Sequence, residues 1–184
     1  MRIDLTSLGG VHVVTHTPFS DHRGYFERLF CDRELDSILG HRSIVAVNHS
    51  CTAQPGAVRG LHFQRPPHAE MKMVRCLRGR VFDVTVDLRV GSPTFLSWHA
   101  EELSADNRCM LVLPEGCAHG FQVLEPNSEL LYFHTAAYVP QSEGGIRADD
   151  PALAIPWPLP FTDISARDFG HPLIGPDFAG IFTS

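Results

Sequence analysis

The sequence predicts an all-β domain, either a β-barrel or a β-sandwich, and three observations support this prediction. Fourteen prolines and fifteen glycines divide the chain into many short apolar runs. Several runs alternate apolar and polar residues, which is the period-two pattern of strands that bury one face. The runs are evenly spaced and separated by turn residues, as in all-β barrels and sandwiches. We expect one domain over residues 1–184, with its core over about 10–160 and a C-terminal cover over 161–184.

Nine apolar segments are predicted as strands because they are rich in β-branched, aromatic and other apolar residues. In chain order they span residues 11–14, 24–26, 43–47, 73–77, 81–88, 95–100, 109–113, 121–124 and 129–134. The tripeptide Arg78-Gly79-Arg80 separates two of these runs, and it predicts a hairpin turn between them.

Helical signal is confined to the edges of the predicted core. Residues 31–40 place Leu35, Ile38 and Leu39 at helical spacing and end at Gly40, a residue type that often terminates helices. The tail from Asp149 onward is rich in Pro and Asp, so we expect it to pack as an extended cover with a short helix or turn. Short peripheral helices are therefore predicted around a β core.

The composition excludes several classes of partner. The formal net charge is −6 and the basic residues are scattered, whereas a nucleic-acid groove needs a basic stripe, so we expect no nucleic-acid partner. No apolar run approaches the ~18–20 residues needed to cross a bilayer, so we expect no membrane association. The start Met1-Arg2-Ile3-Asp4 lacks the apolar core of a secretory signal, which predicts a cytoplasmic protein.

The five cysteines form no CxxC pair. Their odd number and dispersed positions fit free thiols in a reducing compartment better than a disulfide framework. Cys117 lies close to His119 in sequence, so a nucleophilic cysteine remains an alternative, although nothing marks a third orienting group.

The clearest chemical signal is the segment Val58-Arg59-Gly60-Leu61-His62-Phe63-Gln64, followed by Lys72 ten residues after the histidine. Histidine titrates near neutrality and commonly transfers protons, while Arg59 and Lys72 suit a phosphate or a developing oxyanion. Arg59 and His62 share a strand face only if Gly60 bends or bulges the strand. The segment therefore suggests acid–base chemistry on an anionic small molecule. A core histidine bonded to backbone is the alternative.

A second segment, Pro114-Glu115-Gly116-Cys117-Ala118-His119-Gly120-Phe121, is similar to the second half of the cupin barrel motif. A metal-binding cupin also needs a His-x-His pair with a downstream Glu, and here only His62 stands at the first position. Two isolated imidazoles fall short of the three or four ligands usual in protein metal sites. We therefore predict a cupin barrel that holds no metal and works by acid–base chemistry.

Further blocks follow these two segments along the chain. They are Asp21–Phe26, Arg59–Gln64, Lys72–Cys76, Gly79–Val84, Val86–Arg89, Gly91–Phe95, Leu103–Asn107, Pro114–Gly116, Ala118–Phe121 and Ile155–Pro158. Over about residues 10–170 they resemble, in order and spacing, the dTDP-4-dehydrorhamnose 3,5-epimerase family.

This resemblance implies a cupin-type double-stranded β-helix, or jelly roll, and a homodimer with exchanged N-terminal strands. It implies epimerisation, without a cofactor, of carbons that flank the ketone of a nucleotide-linked 4-keto-6-deoxy sugar, with a dTDP-linked sugar expected as the partner substrate. The chemistry needs a base for the C–H proton, donors for the enolate oxygen, and an acid on the opposite ring face.

The resemblance also implies the roles of individual residues. His62 is the base, Asp168 is its carboxylate partner, and Tyr132 is the proton donor. Lys72 stabilises the enolate at the 4-keto oxygen. The implied substrate contacts are Arg23, Arg59 and His119 at the pyrophosphate and adjacent sugar, with Asn48, Gln64, Phe121 and Tyr138 elsewhere in the pocket.

Three departures from the family pattern concern the nucleotide and the pocket edges. Phe133 stands where members usually have Lys, Arg28 where they often have Glu, and Val47 where they have Gln. The nucleotide and the inverted carbon, C3, C5 or both, therefore stay open. Three alternatives also stay open: a 3,4-ketoisomerase, a catalytically silent sugar-nucleotide-binding cupin, and a metal-dependent cupin oxygenase.

Overall fold

A computed structural model describes residues 1–183, and this range forms strands, two short α-helices and one 3-10 turn. The strands are β1 (Arg2–Leu5), β2 (His12–Thr15), β3 (Phe19–Asp21), β4 (Gly24–Phe26), β5 (Ala46–Thr52), β6 (Ala57–Gln64), β7 (Lys72–Arg78), β8 (Arg80–Asp87), β9 (Trp98–Ser104), β10 (Cys109–Leu113), β11 (Cys117–Val123), β12 (Ser128–His134), β13 (Glu143–Gly145) and β14 (Asp163–Ile164). The helices are α1 (Asp36–Leu39) and α2 (Ala166–Phe169), and the 3-10 turn is Pro140–Ser142.

Two sheets make up the core of the fold. The first has the strand order β1-β2-β10-β7-β12-β5, and the second has the order β13-β6-β11-β8-β9. The pairs within both orders are antiparallel, while β14 joins β6 in parallel. Strands β3 and β4 form a separate hairpin. The predicted all-β architecture is confirmed.

The two sheets pack against each other through an apolar interior. Val74, Leu111 and Leu130 of the first sheet share one buried cluster with Val81 and Phe121 of the second. Removing such side chains from water supplies the main driving force for packing two sheets face to face.

The outer faces of both sheets are also covered. Leu35, which precedes α1, and Leu39, its last residue, pack with Met73 of the first sheet. Ile155 of the C-terminal segment packs with Val84 of the second sheet. Strands β8 and β11 are consequently buried along almost their whole length, which removes the alternation expected of a strand with one wet face.

All nine segments predicted as strands overlap observed strands, although some ends are displaced. The segment 43–47 begins too early, because β5 starts at Ala46 and continues to Thr52. The segment 95–100 includes a turn in which Leu96 adopts a positive φ of 61°, so β9 starts only at Trp98. Strand β6 is absent from the nine segments, although the sequence analysis treated the Arg59–His62 segment as a strand. The strands β1, β3, β13 and β14 were not predicted because each has at most four residues and little apolar content.

The hairpin predicted at Arg78-Gly79-Arg80 is wrong. Strand β7 pairs with β10 and β12 in the first sheet, whereas β8 pairs with β9 and β11 in the second. Gly79 has a φ of +71°, and a Cβ there would lie 2.5 Å from Ser128 Oγ. The turn residues therefore mark a corner at which the chain passes from one sheet to the other. A glycine indicates that the chain changes direction, but it does not indicate which strand the next one pairs with.

The peripheral helices follow the prediction in position and are shorter in length. Helix α1 occupies only Asp36–Leu39 of the predicted 31–40, and α2 lies in the C-terminal cover. In the part of the chain that the structure describes, neither helix has the length and apolar character needed to cross a membrane.

Candidate active site

A cavity of about 660 Å³ lies between strands of the two sheets. Strands β5, β7 and β12 of the first sheet and β6 and β11 of the second line it, and the segment leading into α2 closes one side. The predicted site residues that line this cavity are His62, Asp168, Tyr132, Lys72, Asn48, Arg59, His119 and Phe121.

His62 and Asp168 form a hydrogen-bonded pair at the cavity wall. His62 Nε2 lies 2.7 Å from Asp168 Oδ1, and the Gly60 backbone N–H donates to Asp168 Oδ2 at 3.1 Å. Ser165 caps α2 by accepting from the Asp168 backbone N–H at 3.0 Å, which fixes the carboxylate relative to β6. The bond to Nε2 leaves Nδ1 of His62 as the ring atom that can accept a proton.

Asp168 is a carboxylate at neutral pH. Its burial alone would favour the neutral acid, but the hydrogen bonds from His62 and the Gly60 N–H outweigh burial and hold the pKa of Asp168 well below its usual range. A fixed carboxylate at Nε2 selects the tautomer with Nε2–H and stabilises the imidazolium that forms when Nδ1 takes a proton.

Gly60 brings Arg59 and His62 to the same cavity, as the sequence required. Its φ is +103°, and a Cβ there would lie 2.5 Å from the His119 carbonyl oxygen and 2.8 Å from Gly120 Cα. The register between β6 and β11 shifts between His119 and Phe121, which is the signature of a bulge. Arg59 is then held by its Nε, which donates to Thr52 Oγ1 at 2.9 Å.

Tyr132 stands on the opposite wall from His62, because β12 belongs to the first sheet and β6 to the second. Its hydroxyl lies 3.2 Å from Ser50 Oγ. Burial raises the pKa of the Tyr132 phenol well above its ordinary value, so the residue keeps its proton at neutral pH. A protonated phenol facing an imidazole base across a cavity suits proton exchange at two faces of one carbon.

Lys72 is the one lysine among the fifteen basic residues of the chain. It begins β7, its side chain is 12% exposed, and its Nζ lies 3.3 Å from Glu70 Oε1. A positive charge in this buried wall can stabilise a developing oxyanion.

His119 is fixed by a buried carboxylate on the neighbouring strand. Its Nε2 lies 2.9 Å from both carboxylate oxygens of Asp83 on β8, and both side chains are buried. The edge of the His119 ring approaches the Tyr132 ring, with centroids 6.3 Å apart. His119 is therefore rigidly oriented, and Asp83 acts as its hydrogen-bonding support.

Three predicted contacts lie outside the main cavity. Arg23 sits on the β3–β4 hairpin, 78% exposed at its side chain, and pairs with Asp21 at 2.6 Å. Gln64 and Tyr138 line a smaller adjoining cavity of about 240 Å³.

The Gln64 amide is already used within the chain. It donates to the carbonyls of His68 and Ala137 and accepts from the Val139 N–H, so it ties down the loop after β12. Tyr138 donates to Glu143 Oε2 at 2.8 Å. These bonds, formed between distant segments, could not be inferred from the sequence around Gln64 alone.

Several cavity residues were missed by the sequence analysis. Arg167, next to Asp168, places Nη2 3.4 Å from His62 Nε2 and donates to Glu143 Oε2 at 2.9 Å. His134 lies two residues after Tyr132, and the two-residue repeat of a strand was a signal that both side chains share one face.

One group of donor atoms has the composition of a metal site. His62, Asp168 and His171 each offer a ligand atom, and these atoms lie within 4.8 Å of one another. Two imidazoles and a carboxylate suit zinc or iron. A metal ion here would have to displace the His62–Asp168 hydrogen bond and lie beside the Arg167 guanidinium, so the residues present favour the proton-transfer pair over a cation.

The alternative of a nucleophilic cysteine is disfavoured. Cys117 is buried, and this burial raises the pKa of its thiol to about 12. The thiolate, which is the nucleophile, is therefore scarce at neutral pH. All five cysteines are free, as the sequence predicted.

Comparison with known proteins gives matches over nearly the whole chain. The family described as dTDP-4-dehydrorhamnose 3,5-epimerase matches residues 5–175. A dTDP-4-dehydrorhamnose 3,5-epimerase of Sinorhizobium fredii is 42% identical over 173 residues, covering 94% of this chain and 89% of its own. The Salmonella typhimurium enzyme of the same name is 41% identical over 176 residues, covering 95% and 96%.

Solved structures agree with these sequence matches. A dTDP-6-deoxy-D-glucose-3,5-epimerase from Legionella pneumophila, in complex with dTDP-4-keto-L-rhamnose, has a TM-score of 0.91 and 35% identity over 100% of this chain and 99% of its own. A dTDP-4-dehydrorhamnose 3,5-epimerase from Bacillus anthracis, with TDP and PPi bound, has a TM-score of 0.90 and 36% identity, covering 94% and 99%. A 3'-monoepimerase from Streptomyces bikiniensis, in complex with dTDP-quinovose, has a TM-score of 0.85 and 31% identity, covering 91% and 85%. The predicted cupin-type jelly roll is confirmed.

Proposed function

The chain belongs to the dTDP-4-dehydrorhamnose 3,5-epimerase family, and on this premise we propose how its residues carry out epimerisation. The enzyme is an isomerase that acts on a dTDP-linked 4-keto-6-deoxy sugar. One observation carries the proposed mechanism: the His62–Asp168 pair on β6 and α2 faces Tyr132 on β12 across a single cavity.

His62 removes the proton from the carbon next to the ketone. Nδ1 is the accepting atom, because Nε2 is held 2.7 Å from the Asp168 carboxylate. Asp168 stabilises the imidazolium and keeps the ring in orientation. A base whose ordinary pKa lies near neutrality is well matched to this step.

Lys72 stabilises the negative charge that moves onto the ketone oxygen. A C–H next to a carbonyl is weakly acidic, and its removal is favourable only when donors meet the enolate oxygen. The Lys72 side chain lies at the wall of the same cavity and is nearly buried, so its charge acts in a medium of low dielectric.

Tyr132 returns a proton from the opposite ring face, and this inverts the carbon. The hydroxyl is protonated at neutral pH and lies beside Ser50, which can share its hydrogen bond. The sequence of abstraction, enolate and reprotonation moves only protons, so the chemistry needs no redox cofactor.

Arg59, His119 and Arg167 bind the pyrophosphate and the adjoining sugar, and Asn48 and Phe121 complete the wall. Guanidinium groups suit phosphate oxygens because they form bidentate hydrogen bonds. Gln64 and Tyr138 stay at the edge of the site, where the smaller cavity adjoins the main one.

The enzyme acts as a homodimer, in which the β3–β4 hairpin of one subunit lies on the other subunit. The hairpin leaves Phe19, Tyr25 and Phe26 exposed, at 78%, 64% and 69%. Exposed aromatic clusters of this kind mark interaction surfaces. Arg23 lies on this hairpin, outside its own chain's cavity, and reaches the phosphate site of the partner.

Because its cysteines are free, we place the protein in the reducing cytoplasm.

The test of this function is proton NMR in deuterium oxide with dTDP-, CDP- and GDP-linked 4-keto-6-deoxy sugars. We expect deuterium at C3, C5 or both of the dTDP-linked sugar, with inversion of the labelled carbon. The relative that is a 3'-monoepimerase makes labelling at C3 alone the second candidate. No exchange with any of the sugars would refute the proposal.

A further inference from the structure

Glu70 is a largely buried carboxylate in the smaller cavity beside the active site, and the proposed mechanism does not use it. Its side chain is 9% exposed, and it precedes β7 by two residues. One oxygen, Oε1, lies 3.3 Å from Lys72 Nζ, and the other, Oε2, lies 2.8 Å from His134 Nδ1. Buried carboxylates need partners for both oxygens, and here both partners belong to the cavity wall.

His134 connects this carboxylate to the neighbouring strands β12 and β5 of the same sheet. It follows Tyr132 by two residues on β12, and the two rings stack with centroids 6.1 Å apart and planes 23° apart. Its Nε2 lies 3.3 Å from Asn48 Nδ2. A neutral ring satisfies both contacts, since Nδ1–H donates to Glu70 and Nε2 accepts from the Asn48 amide.

Glu70 is ionised in this setting. Burial alone would raise its pKa, but the hydrogen bond from His134 and the charge of Lys72 outweigh burial, so the pKa of Glu70 lies below its ordinary value. The carboxylate therefore presents a full negative charge to the lysine.

A lysine needs such an anchor more than an arginine does. Its ammonium is a point charge on a flexible four-carbon stem, so it loses its position unless a partner fixes it. Stabilising an enolate oxygen requires a donor at a set place before the charge develops. The chain has one lysine, and Glu70 is the carboxylate that meets it.

Other charged and titratable groups also face this pair from the surrounding elements. They are His62 on β6, Asp83 on β8, His134 on β12, Tyr138 in the loop after β12, and Glu143 on β13. Asp83 is engaged by His119, and Glu143 is engaged by Tyr138 and Arg167. Their carboxylates are thus occupied by other partners, which leaves Glu70 as the direct partner of Lys72.

We propose that Glu70, held in place by His134, is a positioning residue that fixes the Lys72 ammonium at the site of the developing oxyanion. The inference rests on the proposed role of Lys72 in epimerisation. His134 acts on Lys72 through Glu70.

A chemical test of this proposal needs no substrate. Acetic anhydride can label only two amines in this chain, those of Lys72 and the N-terminus, and mass spectrometry reports each of them. We expect Glu70→Gln to accelerate acetylation of Lys72 about tenfold at fixed, mildly alkaline pH, because loss of the carboxylate favours the free amine. The N-terminal amine should react at the wild-type rate.

The matched control for this variant is Glu101→Gln. Glu101 also pairs with a histidine, His99, at 3.5 Å, but it lies on β9 away from the cavity. This variant should leave the acetylation of Lys72 unchanged. Equal acetylation rates in wild type and Glu70→Gln would overturn the inference.

Kinetics supply the second readout. We expect Glu70→Gln to lower kcat about tenfold with little change in KM, and to move the alkaline limb of the pH profile to lower pH. His134→Ala should lower kcat by a smaller factor, and the double variant should be no slower than Glu70→Gln alone. His134→Asn keeps an N–H near the position of Nδ1 and should restore most of the rate.

The possible outcomes separate this inference from the proposed function. If wild type fails to exchange deuterium with every sugar, the proposed function fails, while the acetylation test still decides the role of Glu70. Suppose that wild type is active and that the fold loss of kcat in the double variant equals the product of the two single-variant losses. His134 then does not act through Glu70. Should Glu70→Gln fail to fold, an unchanged kcat and pH profile in His134→Ala would overturn the proposal.

Discussion

His62 depends on a partner that lies 106 positions away in the sequence. His62 itself could be identified from the Arg-Gly-Leu-His-Phe-Gln segment, because a histidine close to Arg59 and Lys72 in sequence indicates acid–base chemistry. Asp168 reaches it only because β14 joins β6 in parallel and α2 then turns the carboxylate toward the ring. That contact depends on how the C-terminal segment returns, so only the family resemblance predicted it.

Replacing His62 with Ala should abolish deuterium exchange while nucleotide binding persists. The variant lacks the proposed base but keeps the cations and walls proposed to hold the nucleotide. We expect the exchange rate to fall at least a thousandfold and the calorimetric affinity for dTDP to stay within a few fold. His41→Ala, at an exposed loop position, is the control. Exchange near the wild-type rate in His62→Ala would show that another residue is the base.

Asp168→Asn should destabilise the fold in a manner that depends on pH. The pKa of Asp168 is lowered in the folded state, so its contribution exists above its ordinary value and disappears as pH falls toward the lowered one. We expect a loss of about 2 kcal/mol at neutral pH and a smaller difference in acid. Urea denaturation at several pH values measures this, and a loss independent of pH would contradict the assignment.

At the level of elements, the strand pattern could be predicted wherever a strand was long and apolar. The corner at Gly79 could not be predicted, since a turn signal does not show whether the strands before and after it pair with each other or with other strands. The cavity wall was only partly predictable. Tyr132 followed from the family resemblance, and the two-residue repeat of a strand could have added His134 but was not used. The use of Gln64 to tie down a loop depends on distant carbonyls.

The bulge at Gly60 is the element that joins Arg59 and His62, and Gly60→Ala tests it. Gly60 and Gly91 both have positive φ, +103° and +76°, but only at Gly60 would a Cβ meet backbone within 3 Å. We expect Gly91→Ala to cost about 1 kcal/mol in unfolding free energy. Gly60→Ala should cost clearly more and should also slow exchange. Equal losses for the two variants would show that the close approach of β11 is unimportant.

At the level of the whole molecule, Arg23 is the predicted site residue that its own chain leaves outside both the main cavity and the smaller adjoining one. Its hairpin also carries the exposed aromatic residues Phe19, Tyr25 and Phe26. The proposed exchange of hairpins between two subunits would cover the aromatic residues and deliver a guanidinium to a phosphate site.

Mixing two inactive variants tests this arrangement. In a mixed dimer of Arg23→Ala and His62→Ala subunits, one site would combine a normal His62 with a normal Arg23 from the partner. We therefore expect activity to return after the subunits are unfolded and refolded together, up to one working site per mixed dimer. If Arg23 served its own chain, no site would be complete and no activity would return.

The central claim is that protons leave and arrive from opposite walls, and Tyr132→Phe tests it most directly. The variant should be incubated with the dTDP-linked 4-keto-6-deoxy sugar in deuterium oxide and followed by proton NMR. Because His62 and Lys72 remain, we expect deuterium to enter the sugar with retention of configuration, while inversion slows at least a hundredfold. Inversion at the wild-type rate would show that the proton on the second face comes from another group and would contradict the account.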